Sequence, residues 1–241
     1  MTRFLSALLV LGTLASAGPA AHAQAEKWVA GRHYTVLPQA QRTQVPAGKV
    51  EVLEVFSYDC PACNHFQPTI KKLKATLPAS AQLVYLPASW NAAEAWPMFQ
   101  RAYLTAQSLG VADKAHDAMY EAIWTTGELG VTEPGTGRLK SKLPTIEDTA
   151  RLYQRVAGIK AADFVAASKS FGVDLKARQA DSQIIAMKVT GTPTLVVAGK
   201  YMLDNQNLKG ADEIVELVKF LVARESGAAK TPAAPAAAAK P

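Results

Sequence analysis

The chain has 241 residues, 49% hydrophobic and 19% charged, enough for one buried core or one core carrying an insertion. Its net charge is +6, but Arg3, Lys230 and Lys240 lie in terminal segments that hold no acid. The remainder carries only about +3, which is too mild for a nucleic-acid footprint.

Residues 1–23 read as a signal peptide: Arg3, an apolar run over 4–14, then small residues ending in Ala21-His22-Ala23. Cleavage is expected after Ala23. The run is short for a span of about 20 residues, and Gly12, Ser16, Gly18 and Pro19 dilute its end. Export would place the chain in an oxidising compartment. Residues 24–48 are polar and punctuated by proline, with one predicted strand at 33–37.

Val50–Phe56 is short, apolar and rich in β-branched residues, the pattern of a buried strand. Beyond it, Phe66, Ile70, Leu73 and Leu77 recur at helical spacing until Pro78. The only two cysteines, Cys60 and Cys63, fall where this strand hands over to this helix. Unpaired N–H groups and the positive end of the helix dipole favour a thiolate at Cys60. Pro61 suits the first helical position because it has no N–H to leave unsatisfied. Residues 82–86 form a further strand before Pro87 and a loop with Trp90, which completes a βαβ unit. Open α/β sheets place their sites at the carboxyl ends of such strands.

From 92 to 187 strand signals vanish. Trp96, Phe99, Tyr103, Leu104 and Leu109 mark one helix, and Ala115, Met119, Ile123 and Trp124 another. After a Gly/Pro-rich break at 127–144 come helices at 146–156, 161–170 and 175–187, the last after a helical start at Val173-Asp174. The aromatic residues of this block read as helical core. Thr194–Val197 and Tyr201–Leu203 return to strand grammar around a turn at Gly199-Lys200. Residues 212–224 form an amphipathic helix, and the Ala/Pro/Lys stretch 227–241 has nothing to bury and is expected to be disordered.

Three roles compete with redox exchange for the cysteines. A structural disulfide gains most by joining distant segments, and this pair is three residues apart. A metal site needs two more ligands, and His65, two residues past Cys63, cannot easily converge on both sulfurs. Burial as two free thiols leaves the intervening Pro61-Ala62 unexplained. Redox exchange is the favoured reading. Glu54 is also out of place, a carboxylate inside an apolar strand. It is either desolvated, with a raised pKa, or a strand-end residue reaching solvent.

A βαβ unit with CxxC at its first helix, a helical insertion, and Thr192-Pro193 before a ββα ending resemble the DsbA family of periplasmic thiol–disulfide oxidoreductases. The resemblance spans 27–224 and is most specific in FSYDCPACNHF (56–66) and in 189–201. It implies an α/β, thioredoxin-like fold with an inserted helical subdomain. The organisation expected is a signal peptide at 1–23, a thioredoxin-like domain in two parts (24–91 and 188–226), a helical insertion at 92–187 and a tail at 227–241.

The resemblance implies that Cys60 is the exposed nucleophile and Cys63 the buried resolving sulfur. Pro193 would be the cis-proline facing them, an ordinary trans turn proline being the alternative. The Thr192 backbone would pair with an extended substrate, with Pro61 and Ala62 also on the substrate side. Glu54 would accept a proton from Cys63. The protein would be a dithiol oxidase using its Cys60–Cys63 disulfide, with neither a further cofactor nor a metal. Reduced exported proteins would be its substrates and a DsbB-like membrane quinone reductase its reoxidant. A periplasmic reductase or isomerase, or a non-catalytic peptide-binding chaperone of the same fold, are the competing functions.

Two positions depart from the family pattern. Ala62 stands where oxidising members carry His, which predicts a less acidic Cys60 and a less oxidising disulfide. Thr192 stands where Val is common, and its hydroxyl could favour reduction or shuffling. His65 is the only nearby histidine.

Overall fold

A computed structural model describes residues 27–228, so the expected leader, its cleavage site and the tail beyond 228 lie outside the described residues. The chain begins with strands β1 (Tyr34–Val36) and β2 (Val50–Phe56), helix α1 (Pro61–Thr76) and strand β3 (Ala81–Pro87). Five helices follow: α2 (Trp96–Ser108), α3 (Ala112–Trp124), α4 (Ile146–Ala157), α5 (Ala161–Ser168) and α6 (Phe171–Ala186). Strands β4 (Thr194–Val197) and β5 (Tyr201–Leu203) and helix α7 (Ala211–Ala228) close it.

The strands form one sheet in the order β1-β5-β4-β2-β3, with β2 and β3 parallel and the other pairs antiparallel. Every residue of β2 is buried, as its unbroken apolar pattern requires. Val52 and Phe56 enter the larger core, shared with α1, α3 and α7, while Leu53 and Val55 enter a second one. Ala180, Ile184 and Met187 belong to that second core, so the end of the helical block covers a face of the sheet.

Local chemistry explains where the observed ends differ from the expected ones. α6 starts at Phe171 because the Ser170 hydroxyl accepts the Val173 N–H at 3.3 Å, a cap that the apolar spacing did not reveal. α4 starts at a capping box, Thr145 with Asp148, and ends on left-handed Gly158. Pro68 lies inside α1, where its ring removes one backbone donor without ending the helix. The β4–β5 turn centres one residue earlier than expected, on Ala198 and Gly199, both at positive φ. A Cβ at Gly199 would lie 2.4 Å from the Gln41 carbonyl oxygen, and the Gln41 N–H donates to the Gly199 carbonyl at 2.8 Å. The turn thus pins the segment between β1 and β2. Among the described residues no helix is long and apolar enough to cross a membrane.

Candidate active site

Cys60 caps α1. Its backbone is extended (φ −89°, ψ 117°), Pro61 occupies the first turn, and the Cys63 N–H donates to the Cys60 Sγ at 3.3 Å. The helix end that the sequence placed under a thiolate therefore holds a sulfur as its cap. Both cysteines are free thiols.

Opposite them lies the start of β4. The Thr192–Pro193 peptide bond is cis, and the Cys60 thiol donates to the Thr192 carbonyl at 3.5 Å. β4 runs beside β2 with Val55 opposite Thr194, so sheet register brings this loop to the cysteines. One expectation needs correction here: Cys60 is not an exposed sulfur, since the residue is only 5% exposed. The Thr192 carbonyl packs against it from across the sheet. Cys63 is fully buried.

The two thiols are driven apart in acidity. The Cys60 pKa is pulled down to about 6, chiefly by the hydrogen bond from the Cys63 side chain. The Thr192 side chain and the amides of Cys63 and Ala62 act the same way, and burial opposes them. The Cys63 thiol is pushed up by burial and by its neighbour Cys60. Ala62 itself is exposed and contributes only its backbone, and His65 is exposed on α1.

Glu54 is completely buried, which removes the strand-end alternative. It lies opposite Tyr85 on β3 and Leu195 on β4, and neither carboxyl oxygen has a hydrogen-bond partner. Desolvation, and then the charge of Cys60, push its pKa up to about 8.

Two further groups escaped the sequence reading. Asp59 directly precedes Cys60 and is 3% exposed, with both carboxyl oxygens buried. Burial raises its pKa to about 7; the Glu94 and Cys60 charges add to this, and the Ala95 amide opposes them. A carboxylate next to the CxxC was the available signal. His116 sits among Phe56, Tyr58, Tyr85, Tyr103 and Tyr120, with its Nδ1 3.0 Å from the Tyr58 hydroxyl. Burial pushes its pKa down to about 4. No local pattern announces this cage, because β2, the β2–α1 loop, β3, α2 and α3 each supply part of it.

Comparison with known proteins agrees with this geometry. Residues 139–221 match the family model described as a DSBA-like thioredoxin domain. The thiol:disulfide interchange protein DsbA of Pseudomonas aeruginosa is 33% identical over 226 residues, 94% of this chain and 97% of that protein. Its crystal structure aligns with a TM-score of 0.70, covering 86% of this chain and 99% of that one. The oxidoreductase DsbA from Xylella fastidiosa, 30% identical, also aligns at 0.70, covering 83% and 98%. With a thioredoxin-like sheet, a CxxC pair at a helix start and this similarity along nearly its whole length, the chain belongs to the DsbA family.

Proposed function

We propose that this protein is a periplasmic dithiol oxidase that passes its Cys60–Cys63 disulfide to newly exported proteins. It is a thiol–disulfide oxidoreductase, and its redox group is the cysteine pair itself. The observation that carries the direction of transfer is the Cys60 Sγ capping α1, with its acidity raised by Cys63, Thr192 and two backbone amides. Whatever steadies the Cys60 thiolate steadies the reduced enzyme, and so makes its disulfide a stronger oxidant.

In the oxidised enzyme a client thiolate attacks the Cys60 sulfur. The Cys60–Cys63 bond breaks, a Cys60–client disulfide forms, and Cys63 leaves as a thiolate. Buried Cys63 holds that charge poorly, and Glu54, protonated below about pH 8, supplies a proton. A second client thiolate then attacks the client sulfur of the mixed disulfide. The client leaves oxidised and Cys60 is released as a thiolate, two electrons having passed to the enzyme. Reoxidation by a DsbB-like membrane quinone reductase runs the enzyme half in reverse, with Glu54 accepting the Cys63 proton. Thr192, beside Cys60, offers its backbone to an extended client, while Pro61 and Ala62 flank the sulfur on the exposed side.

Reduced, denatured ribonuclease mixed with the oxidised protein tests this reading. It should regain activity with no other oxidant present, at the expense of one enzyme disulfide per client disulfide. Rescue of scrambled but not of reduced ribonuclease would instead identify an isomerase, and no rescue of either would leave a binding protein.

A further inference from the structure

The residue preceding the nucleophile carries a carboxyl group that the reaction above does not use. Asp59 is held in the turn between β2 and α1, where its N–H donates to the Ser57 Oγ at 3.3 Å and the Cys60 N–H to the Ser57 carbonyl at 3.2 Å. Neither carboxyl oxygen reaches solvent, and the backbone amide of Ala95 is the one donor that acts on the group. Among the described residues no ion pair compensates it. Glu94, in the loop before α2, brings a second negative charge, and its own carboxylate is engaged by the Trp96 Nε1 at 3.0 Å. Lys140 lines the same cavity of about 580 Å³ as Asp59 and Glu94, but its Nζ donates to the Gly127 carbonyl at 3.2 Å. Cys60 follows it directly in the chain, and its charge acts on the carboxyl. Below neutral pH a carboxyl so placed is largely uncharged, and above it the ion shares the turn with a sulfur that is already an anion.

We propose that Asp59 is a positioning charge that restrains the oxidant strength of this enzyme: once ionised, it opposes the Cys60 thiolate and so favours the disulfide over the dithiol. This deepens the oxidase reading and rests on it. In the oxidised enzyme Cys60 is neutral and Asp59 ionises more easily. In the reduced enzyme the thiolate and the carboxylate compete. Reduction therefore draws a proton onto Asp59 near neutral pH, beyond the proton taken by Cys63. Transfer of the disulfide becomes less favourable as pH rises than the two cysteines alone would dictate. Two like charges so close in a poorly solvated turn oppose each other by about one pKa unit, a factor of about ten.

The test is the equilibrium with glutathione, read as the reduced fraction in buffers of fixed ratio from pH 5 to pH 8.5, for wild type and Asp59→Asn. The amide keeps the shape and removes the charge. At pH 8 the variant should be about threefold to tenfold further towards the dithiol. At pH 5, where Asp59 is protonated, the two proteins should coincide. A shift of equal size at every pH would mark a structural effect and overturn the proposal, as would no shift at all while wild type exchanges normally. Failure of wild type to exchange with glutathione would instead remove the oxidase reading and this proposal together. Should Asp59→Asn not fold, carbon NMR titration of the Asp59 carboxyl in the unaltered protein decides. A lower pKa in the oxidised than in the reduced form supports the proposal, and equal values overturn it.

Discussion

Cys60 and Cys63 are adjacent turns of one helix end, yet their protons are held very differently, and that contrast sets how single substitutions should act. Cys60→Ser should abolish transfer, because the sulfur that takes the client bond is gone. Cys63→Ala should instead accumulate Cys60–client disulfides, visible as bands that disappear on reduction in a non-reducing gel. Activity retained by Cys60→Ser together with nothing trapped by Cys63→Ala would reverse the assignment. Ala62 offers Cys60 only a backbone amide. Restoring an imidazole with Ala62→His should add a cation and donor beside the thiolate. It should move the glutathione equilibrium about tenfold towards the dithiol, the equivalent of one pKa unit. Glu54, Cys60, Cys63 and the Thr192-Pro193 pair were legible in the sequence because each breaks a local pattern: a charge in a strand, a spaced pair, a Thr-Pro before a strand. Asp59 was visible only as a carboxylate beside the CxxC, a polar residue in a turn; the packing around it is what makes its charge costly.

At the level of elements, periodicity located β2, β4 and β5 to the residue and the helices to within a few positions. It failed where hydrogen-bonding side chains rather than apolar spacing set the boundary, as at Ser170. It also missed Asn205–Asn207, a 3-10 turn closed by the Asp204 carboxylate accepting the Gln206 N–H at 3.1 Å. The β4–β5 turn depends on a feature no hydrophobic pattern encodes, the approach of Gln41 to Gly199. Gly199→Ala demands both positive φ and displacement of a backbone carbonyl, and should cost about 2–3 kcal/mol. A lowered denaturation midpoint with an unchanged slope would measure it. A cost below 0.5 kcal/mol would mean that the segment yields freely.

For the whole molecule, buried ionisable groups set how stability follows pH. Glu54 is raised from 4.5 to about 8, so the unfolded chain releases its proton first and the folded state loses ground as pH rises between those values. Asp59 acts in the same direction between 3.8 and about 7. His116, lowered from 6.5 to about 4, acts oppositely: its contribution is complete above 6.5 and fades as pH falls towards 4. In the reduced protein Cys60, lowered from 9.0 to about 6, acts with His116 and adds stability as pH rises. The oxidised protein, without that thiol, should therefore unfold more easily at pH 8 than at pH 5. Glu54→Gln should remove up to about 4 kcal/mol of that difference, three pH units at 1.36 kcal/mol each. Urea titrations at both pH values would show it, and a variant with the wild-type difference would place the dependence elsewhere. The sheet order has a temporal consequence as well. Cys60 ends β2, whereas the Thr192 carbonyl that it meets lies 132 residues later, at the mouth of β4. A chain threading out of a secretion pore amino end first presents two ordinary thiols long before their lid arrives. Until β4 slots between β2 and β5, the newborn chain carries the thiols without the neighbour that tunes them.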